Sequence, residues 1–242
     1  MKVTYLDHSG FLVEMEQAYF LFDYYRGTIP ELNKEKPLVV FVSHSHGDHY
    51  NREIYHLITR YPKTQYVLAK DIPVKRLIQE KEQQGVDLGS HILSLRKNTK
   101  TELSLWNGTQ LIITTLKSTD AGVAYFLEYE NQTLYHAGDL NLWYWEGETK
   151  QYNDNMVRAY QIELEKLKDC PIDVAFVPLD PRLENHAMDG LRLFLEYTQT
   201  KKVFPMHMWG EYRIIQKFLD QYPQYETQLA QIQYEGQEFK LE

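Results

Sequence analysis

His44, His46, Asp48 and His49 fall within six consecutive positions, and this cluster constrains the chain more than any other stretch. Imidazole and carboxylate groups are the usual non-thiolate ligands of divalent ions. The cluster follows Pro37 and the apolar, partly β-branched run from Leu38 to Val42, which reads as a buried strand. The candidate ligands therefore stand where a strand ends and a loop begins, the usual place for function on a rigid scaffold. Ser45 and Gly47 separate them, so bulk does not stop the backbone from curling round an ion. His44 and His46 can reach one ion from a turning chain, and Asp48 and His49 can reach a neighbouring position. A single histidine at a strand end would read as a capped or solvated residue. Three histidines and an aspartate at H-x-H-x-D-H spacing read as a metal site.

A chain of 242 residues with 43% hydrophobic and 25% charged residues can bury one large core or two small ones. The net charge of −8 repels phosphate backbones and disfavours a general nucleic-acid-binding role. One cysteine, Cys170, excludes an intramolecular disulfide; it is expected to be a small buried hydrophobe. No apolar run approaches the roughly 18 residues of a membrane span, and the N-terminus lacks a signal-peptide core. A soluble, cytoplasmic protein without membrane association is expected, with a homo-oligomer left open.

Strands are expected at Val3 to Leu6, Phe11 to Met15 and Tyr19 to Tyr24, with His8-Ser9-Gly10 as a turn and Asp23 as a strand-end cap. Further strands are expected at Gln65 to Ala69, Ile92 to Leu95, Val123 to Glu130, Thr133 to His136, Asp173 to Val177 and Lys202 to Phe204. Asn107-Gly108 between two alternating runs marks a hairpin. Helical spacing appears from Tyr50 to Arg60, from Ile72 to Gln84, from Asn153 to Lys168, from Ala187 to Tyr197 and from Glu211 to Leu219. The first of these puts a helix N-terminus beside the cluster, where it would favour anions. The alternating tail from Gln228 to Leu241 can add an edge strand. Asp139 at a strand end, after Gly138, can bridge two ions; Trp143 and Trp145 on the next loop can wall a pocket or simply bury that loop. Asp180, Arg182 and His186 read first as turn and helix-entry residues.

H-x-H-x-D-H after a buried strand, followed by Tyr135-His136-Ala137-Gly138-Asp139 and by Phe204-Pro205-Met206-His207-Met208-Trp209, resembles the signatures of the metallo-β-lactamase fold superfamily. The resemblance runs from about Val3 to about Lys240 and is closest to the lactonase-like branch, not to the antibiotic-hydrolysing enzymes. It implies one domain over residues 1–242 with an α+β, four-layer αββα sandwich. It also implies His44 and His46 on one metal, Asp48, His49 and His207 on a second, and Asp139 between them, with Asp48 as the catalytic residue. Such a ligand set suits zinc, one or two ions, and also manganese or iron. The third histidine usual for the first metal is absent: the loop before the Asp139 strand offers Ser118, Thr119 and Asp120, so Asp120 is the replacement candidate.

Two close ions lower the pKa of a shared water toward neutrality and polarise a substrate oxygen. The leading expectation is therefore a metal-dependent hydrolase of a small molecule such as a lactone, an ester or a phosphorylated metabolite. The alternatives are a metal-dependent nuclease, a di-iron oxidoreductase, and a metal- or partner-binding protein that keeps the fold without catalysis. His46 argues against the di-iron pattern, which carries Glu there.

Overall fold

The computed structural model describes residues 1–241. Its strands are β1 (Lys2–Asp7), β2 (Gly10–Glu14), β3 (Tyr19–Phe22), β4 (Leu38–Val42), β5 (Thr64–Ala69), β6 (Ile92–Leu95), β7 (Lys100–Ser104), β8 (Gln110–Lys117), β9 (Val123–Tyr129), β10 (Gln132–His136), β11 (Pro171–Pro178), β12 (Gln199–Met206) and β13 (Glu238–Lys240). They form two sheets, ordered β13-β1-β2-β3-β4-β5-β6 and β12-β11-β10-β9-β8-β7. Each sheet combines antiparallel and parallel neighbours: β3 to β6 run parallel in the first, β10 to β12 in the second. Parallel strands are covered on both faces, which is why Leu38–Val42 is an unbroken buried apolar run. The edge strand β7 alternates between more and less exposed residues instead.

The inner faces of the sheets meet through aromatic rings. Phe11 and Phe22 of the first sheet lie 4.4 and 5.6 Å from Phe176 of the second, and Phe41 lies 5.3 Å from Tyr125. The Tyr125 hydroxyl donates to the Val42 carbonyl at 2.8 Å, tying the two sheets together two residues before His44. The helices lie outside this pair: a four-residue α1 (Leu57–Arg60), α2 (Lys75–Gln83), α3 (Lys150–Glu165), α4 (Asp189–Tyr197) and α5 (Arg213–Gln221). Phe194 of α4 stacks on Tyr135 of β10 at 5.3 Å, and Tyr55, just before α1, packs on Tyr66 of β5 at 5.1 Å. This is the αββα sandwich.

Several local expectations shift. The stretch after the motif is mostly 3-10, from Arg52 to His56, before the short α1, and its first turn is capped by the Asn51 side chain accepting from the Glu53 N–H. No residue of that turn lines the cleft described below, so the anion-attracting helix end is not part of it. Helix α3 begins at Lys150 rather than Asn153, because Thr149 caps it by accepting from the Tyr152 N–H. Cys170 is only half-buried, not a core residue. The tail supplies β13, paired antiparallel with β1.

Candidate metal centre

Strand ends bring the candidate ligands to one rim. The loop after β4 carries Ser43 to His49, the exit of β10 carries Asp139, and the exit of β12 carries His207. The β1–β2 turn adds His8, and the β8–β9 loop adds Asp120. Three of the turning points, His8 (φ 52), Asp23 (φ 39) and His207 (φ 65), are non-glycine residues in the left-handed region, a costly conformation that clusters at functional sites. Two others use glycine because nothing larger fits. At Gly122 (φ +67) a Cβ would lie 1.9 Å from the Ser43 carbonyl oxygen, and at Gly138 (φ +51) 2.7 Å from the Ser43 Cβ.

Asp139 is the centre of the arrangement. Its Oδ2 lies 3.1 Å from His44 Nε2 and 4.0 Å from His46 Nδ1. Its Oδ1 lies 3.1 Å from His49 Nε2 and 2.9 Å from His207 Nε2. The two oxygens of one carboxylate thus divide four imidazoles into two pairs. Donor atoms of His46, Asp120 and Asp139 gather within 4.8 Å of one another, so Asp120 stands beside the first pair. Asp48 gathers with His44 and His46, and its Oδ2 is 3.5 Å from His8 Nε2. His8 in turn gathers with His49 and His207. The set of Asp48 with His49 and His207 that the resemblance implies differs from this grouping; Asp48 lies beside His44 and His46 and, through His8, near the other set.

The residues fit a bound metal. Among the described residues, His44 Nε2, His8 Nε2 and Asp139 Oδ1 are buried with no hydrogen-bond partner, a costly state for polar atoms. His49 Nε2 and His207 Nε2 are 2.7 Å apart, and two imidazoles can share that distance only through a proton or an ion. Two ligands each about 2.1 Å from a common ion stand about 3.0 Å apart at right angles, close to the observed separations.

The charges behind the ligands follow the same plan. Asp23 is fully buried and lies 2.7 Å from His49 Nδ1. It also accepts from the Ser43 N–H at 2.7 Å and the Ser43 hydroxyl at 2.6 Å. It is thus an orienting carboxylate, not the simple strand-end cap expected, and it fixes which nitrogen of His49 faces the centre. Asp180 Oδ2 lies 3.4 Å behind His207 Nδ1 in the same way. Burial disfavours the Asp139 anion, yet His207 and His49 hold its pKa well below the usual carboxylate range. Burial pushes the pKa of His8 down to about 4, so its imidazole is neutral. His136, by contrast, is a structural residue: one ring nitrogen accepts from the Gly138 N–H and the other meets the Ser9 carbonyl. His186 binds Asp189 at 2.8 Å at the entry to α4 and does not line the cleft.

The cleft above the centre has a volume of about 230 Å³ and is lined by His46, Asp48, Asp120, Asp139 and His207 together with Trp143, Trp145 and Arg182. The two tryptophans therefore wall the cleft. Two larger surface hollows, of about 740 and 760 Å³, run beside α5 and beside Cys170 and hold none of the candidate ligands.

Residues 2–154, more than half of the chain, match the family model described as the β-lactamase superfamily domain. The chain belongs to the metallo-β-lactamase hydrolase superfamily. One relative in this superfamily, from Carboxydothermus hydrogenoformans, is 26% identical over 215 residues, covering 86% of this chain and 84% of that protein, and is named a UPF0173 metal-dependent hydrolase. Among solved structures, the metallo hydrolase Igni18 from Ignicoccus hospitalis superposes with a TM-score of 0.63 at 16% identity, covering 100% of this chain and 99% of that one. CmlA, a diiron β-hydroxylase from Streptomyces venezuelae, superposes with a TM-score of 0.62 at 10% identity over 99% of this chain and 54% of its own. These structural likenesses show a metallo-β-lactamase fold shared by proteins of different chemistry.

Sequence reasoning undervalued His8, Asp23, Asp180 and Arg182. None belongs to a metal-ligand motif, and only the fold brings them to the centre. The available signal for His8 and Asp23 was their place at strand ends in the same sheet as β4.

Proposed function

We propose that this chain is a metal-dependent hydrolase of a small lactone, ester or phosphorylated metabolite, working as one domain over residues 1–242 in the cytoplasm, with zinc as its metal. The observation that carries this reading is the Asp139 carboxylate facing three imidazole nitrogens at 2.9–3.1 Å, with its Oδ1 buried and otherwise unpaired. We assign His44, His46 and Asp120 to the Oδ2 side of Asp139, His49 and His207 to the Oδ1 side, and Asp48 to the junction. Imidazole and carboxylate donors without thiolate favour zinc, manganese or iron.

When bound, divalent ions supply a water acidic enough to attack near neutral pH and an electrophile for the substrate oxygen. The protein's own groups do the rest. Asp48 lines the cleft, and the His8 imidazole beside it, at 3.5 Å, outweighs burial and holds its pKa well below the usual range. It is therefore an anion at any working pH, suited to orient a water as acceptor rather than to store a proton. Asp23 and Asp180 hold His49 and His207 in place from behind. Trp143 and Trp145 give the substrate an apolar wall and keep bulk water back.

A cleft of about 230 Å³ suits a small molecule and argues against the nuclease alternative. Colorimetric screening of the zinc- and manganese-loaded protein on lactones, phosphoesters and thioesters tests the proposal. Turnover abolished by a chelator supports it. No turnover of any class, with metal demonstrably bound, would favour the non-catalytic binding protein.

A further inference from the structure

Arg182 is the only Lys or Arg among the described residues that line the cleft. It leaves the end of β11 and is fixed by its neighbours. Its backbone N–H donates to Asp180 Oδ1 at 2.9 Å, and its Nε–H contacts the two Asp180 oxygens at 3.0 and 3.1 Å. Nη2 donates to Asp180 Oδ2, and the guanidinium lies 4.4 Å from the centroid of the Trp209 ring. Asp180 itself is fully buried, and the same Oδ2 accepts from Trp209 Nε1 at 3.3 Å and lies 3.4 Å behind His207. One carboxylate thus aims both a candidate ligand and a cation.

The fork is not used up. Among the described residues every hydrogen bond from the guanidinium runs through Nε or Nη2 to Asp180; Nη1 donates to no protein atom, and the side chain is 48% exposed. A guanidinium held by a buried carboxylate and an indole face has already lost its rotamer freedom, so ordering it against a ligand costs little. Its open edge offers two parallel N–H donors, the geometry that recognises an oxyanion in bidentate fashion. Trp143, Trp145 and Met156 line the same cleft and supply its apolar side chains.

We propose that Arg182 is the specificity residue of this site: it binds an oxyanion, a carboxylate or a phosphate, carried by a small substrate whose apolar part lies along Trp143, Trp145 and Met156. This rests on the hydrolase reading above. The scissile carbonyl or phosphoryl group would then lie over Asp139, and the remote anion would fix the substrate's direction in the cleft. A polyanion or a neutral long-chain ester would not fit, the first because a single cation faces about 230 Å³ of space and the second because the anion contact would be missing.

Two readouts test this on the zinc- or manganese-loaded full chain. The first is the ratio of kcat/KM for 4-nitrophenyl hydrogen succinate over that for 4-nitrophenyl propanoate, which differ by one carboxylate. We expect the wild type to favour the anionic ester by about tenfold or more, Arg182→Gln to bring the ratio close to one, and Arg182→Lys to fall between. The second is calorimetric titration with succinate and with inorganic phosphate, which needs no turnover. Either anion should bind at least about fivefold more weakly to Arg182→Gln, and the one that loses more is the group the substrate carries. Equal ratios in wild type and Arg182→Gln, or anion binding unchanged by the substitution, would overturn the inference even if hydrolysis is real. Turnover of neither ester, nor of any lactone, phosphoester or thioester in the screen above, with succinate binding still weakened in Arg182→Gln, would keep the anion site and overturn the hydrolase reading instead. Should Arg182→Gln fail to fold, the same comparisons with Arg182→Lys decide, because the charge remains and only the fork is lost.

Discussion

His49 Nδ1 lies 2.7 Å from Asp23 Oδ2, and neither side chain has any exposed surface. The carboxylate also accepts both the backbone N–H and the hydroxyl of Ser43, so one buried anion orients the first residue of the motif loop and the last. The ring of His44 is held in turn by Ser43 Oγ at 3.0 Å from its Nδ1. Asp23→Asn keeps the shape but gives up the charge that fixes the His49 tautomer. We expect metal affinity to fall about 10- to 100-fold, with the fold retained. Competition titration against a chelating dye measures this; unchanged affinity would show that Asp23 serves the fold alone.

Asp120 stands where the superfamily pattern calls for a third imidazole, and its carboxylate gathers with His46 and Asp139. Asp120→Ala should lower the metal content of the dialysed protein, and Asp120→His should restore it. Elemental analysis reads the stoichiometry directly. Unchanged content in Asp120→Ala would remove Asp120 from the ligand set.

The pH dependence of stability separates the metal-free chain from the loaded one. Burial disfavours the His49 imidazolium, but Asp139 and Asp23 outweigh it and push the pKa up to about 10 from the ordinary 6.5. A raised folded-state pKa contributes stability that is fully present below the unfolded pKa and is lost as pH rises through the folded value. With a chelator present, Tm should therefore fall between about pH 6.5 and pH 10. His207 is shifted upward as well, Asp139 and Asp180 outweighing its burial, and adds to the decline. A bound ion replaces the proton, so the loaded protein should lack this decline. Calorimetric scans across the window check it, and a flat metal-free curve would contradict the shared-proton arrangement.

Gly122 sets the distance between the β8–β9 loop and the motif. Its φ of +67 and the 1.9 Å approach of a would-be Cβ to the Ser43 carbonyl leave no room for a side chain. The neighbouring Val123 N–H donates to that same carbonyl at 3.0 Å. Gly122→Ala should destabilise the fold by about 2–4 kcal/mol, through backbone strain and displacement of Ser43. Denaturant titration measures it. A loss below about 1 kcal/mol would mean that the loop yields easily.

Much of this arrangement is legible in the sequence because it is local. The run from Leu38 to Val42 announces a doubly covered strand, Asn107-Gly108 announces the β7–β8 turn, and the histidines of the motif stand within reach of one another by spacing alone. What the sequence hides is what packing decides. Asp23 looks like a turn residue until the parallel pairing of β3 with β4 sets it under Ser43. Arg182 looks like a surface charge until β11 and β12 place Trp209 beneath it. The start of α3 was obscured because its cap, Thr149, precedes the first inward-facing residue by a turn. Cys170, expected to be buried from its place between a helix and a strand, sits in the short link between α3 and β11 and stays half-exposed.

The most direct measurement is anomalous diffraction at the zinc edge from a crystal grown with zinc. Density peaks in contact with Asp139, one beside His44 and His46 and one beside His49 and His207, are the predicted result. An absence of any peak there, with the imidazoles turned away from Asp139, would contradict the metal centre and every step built on it.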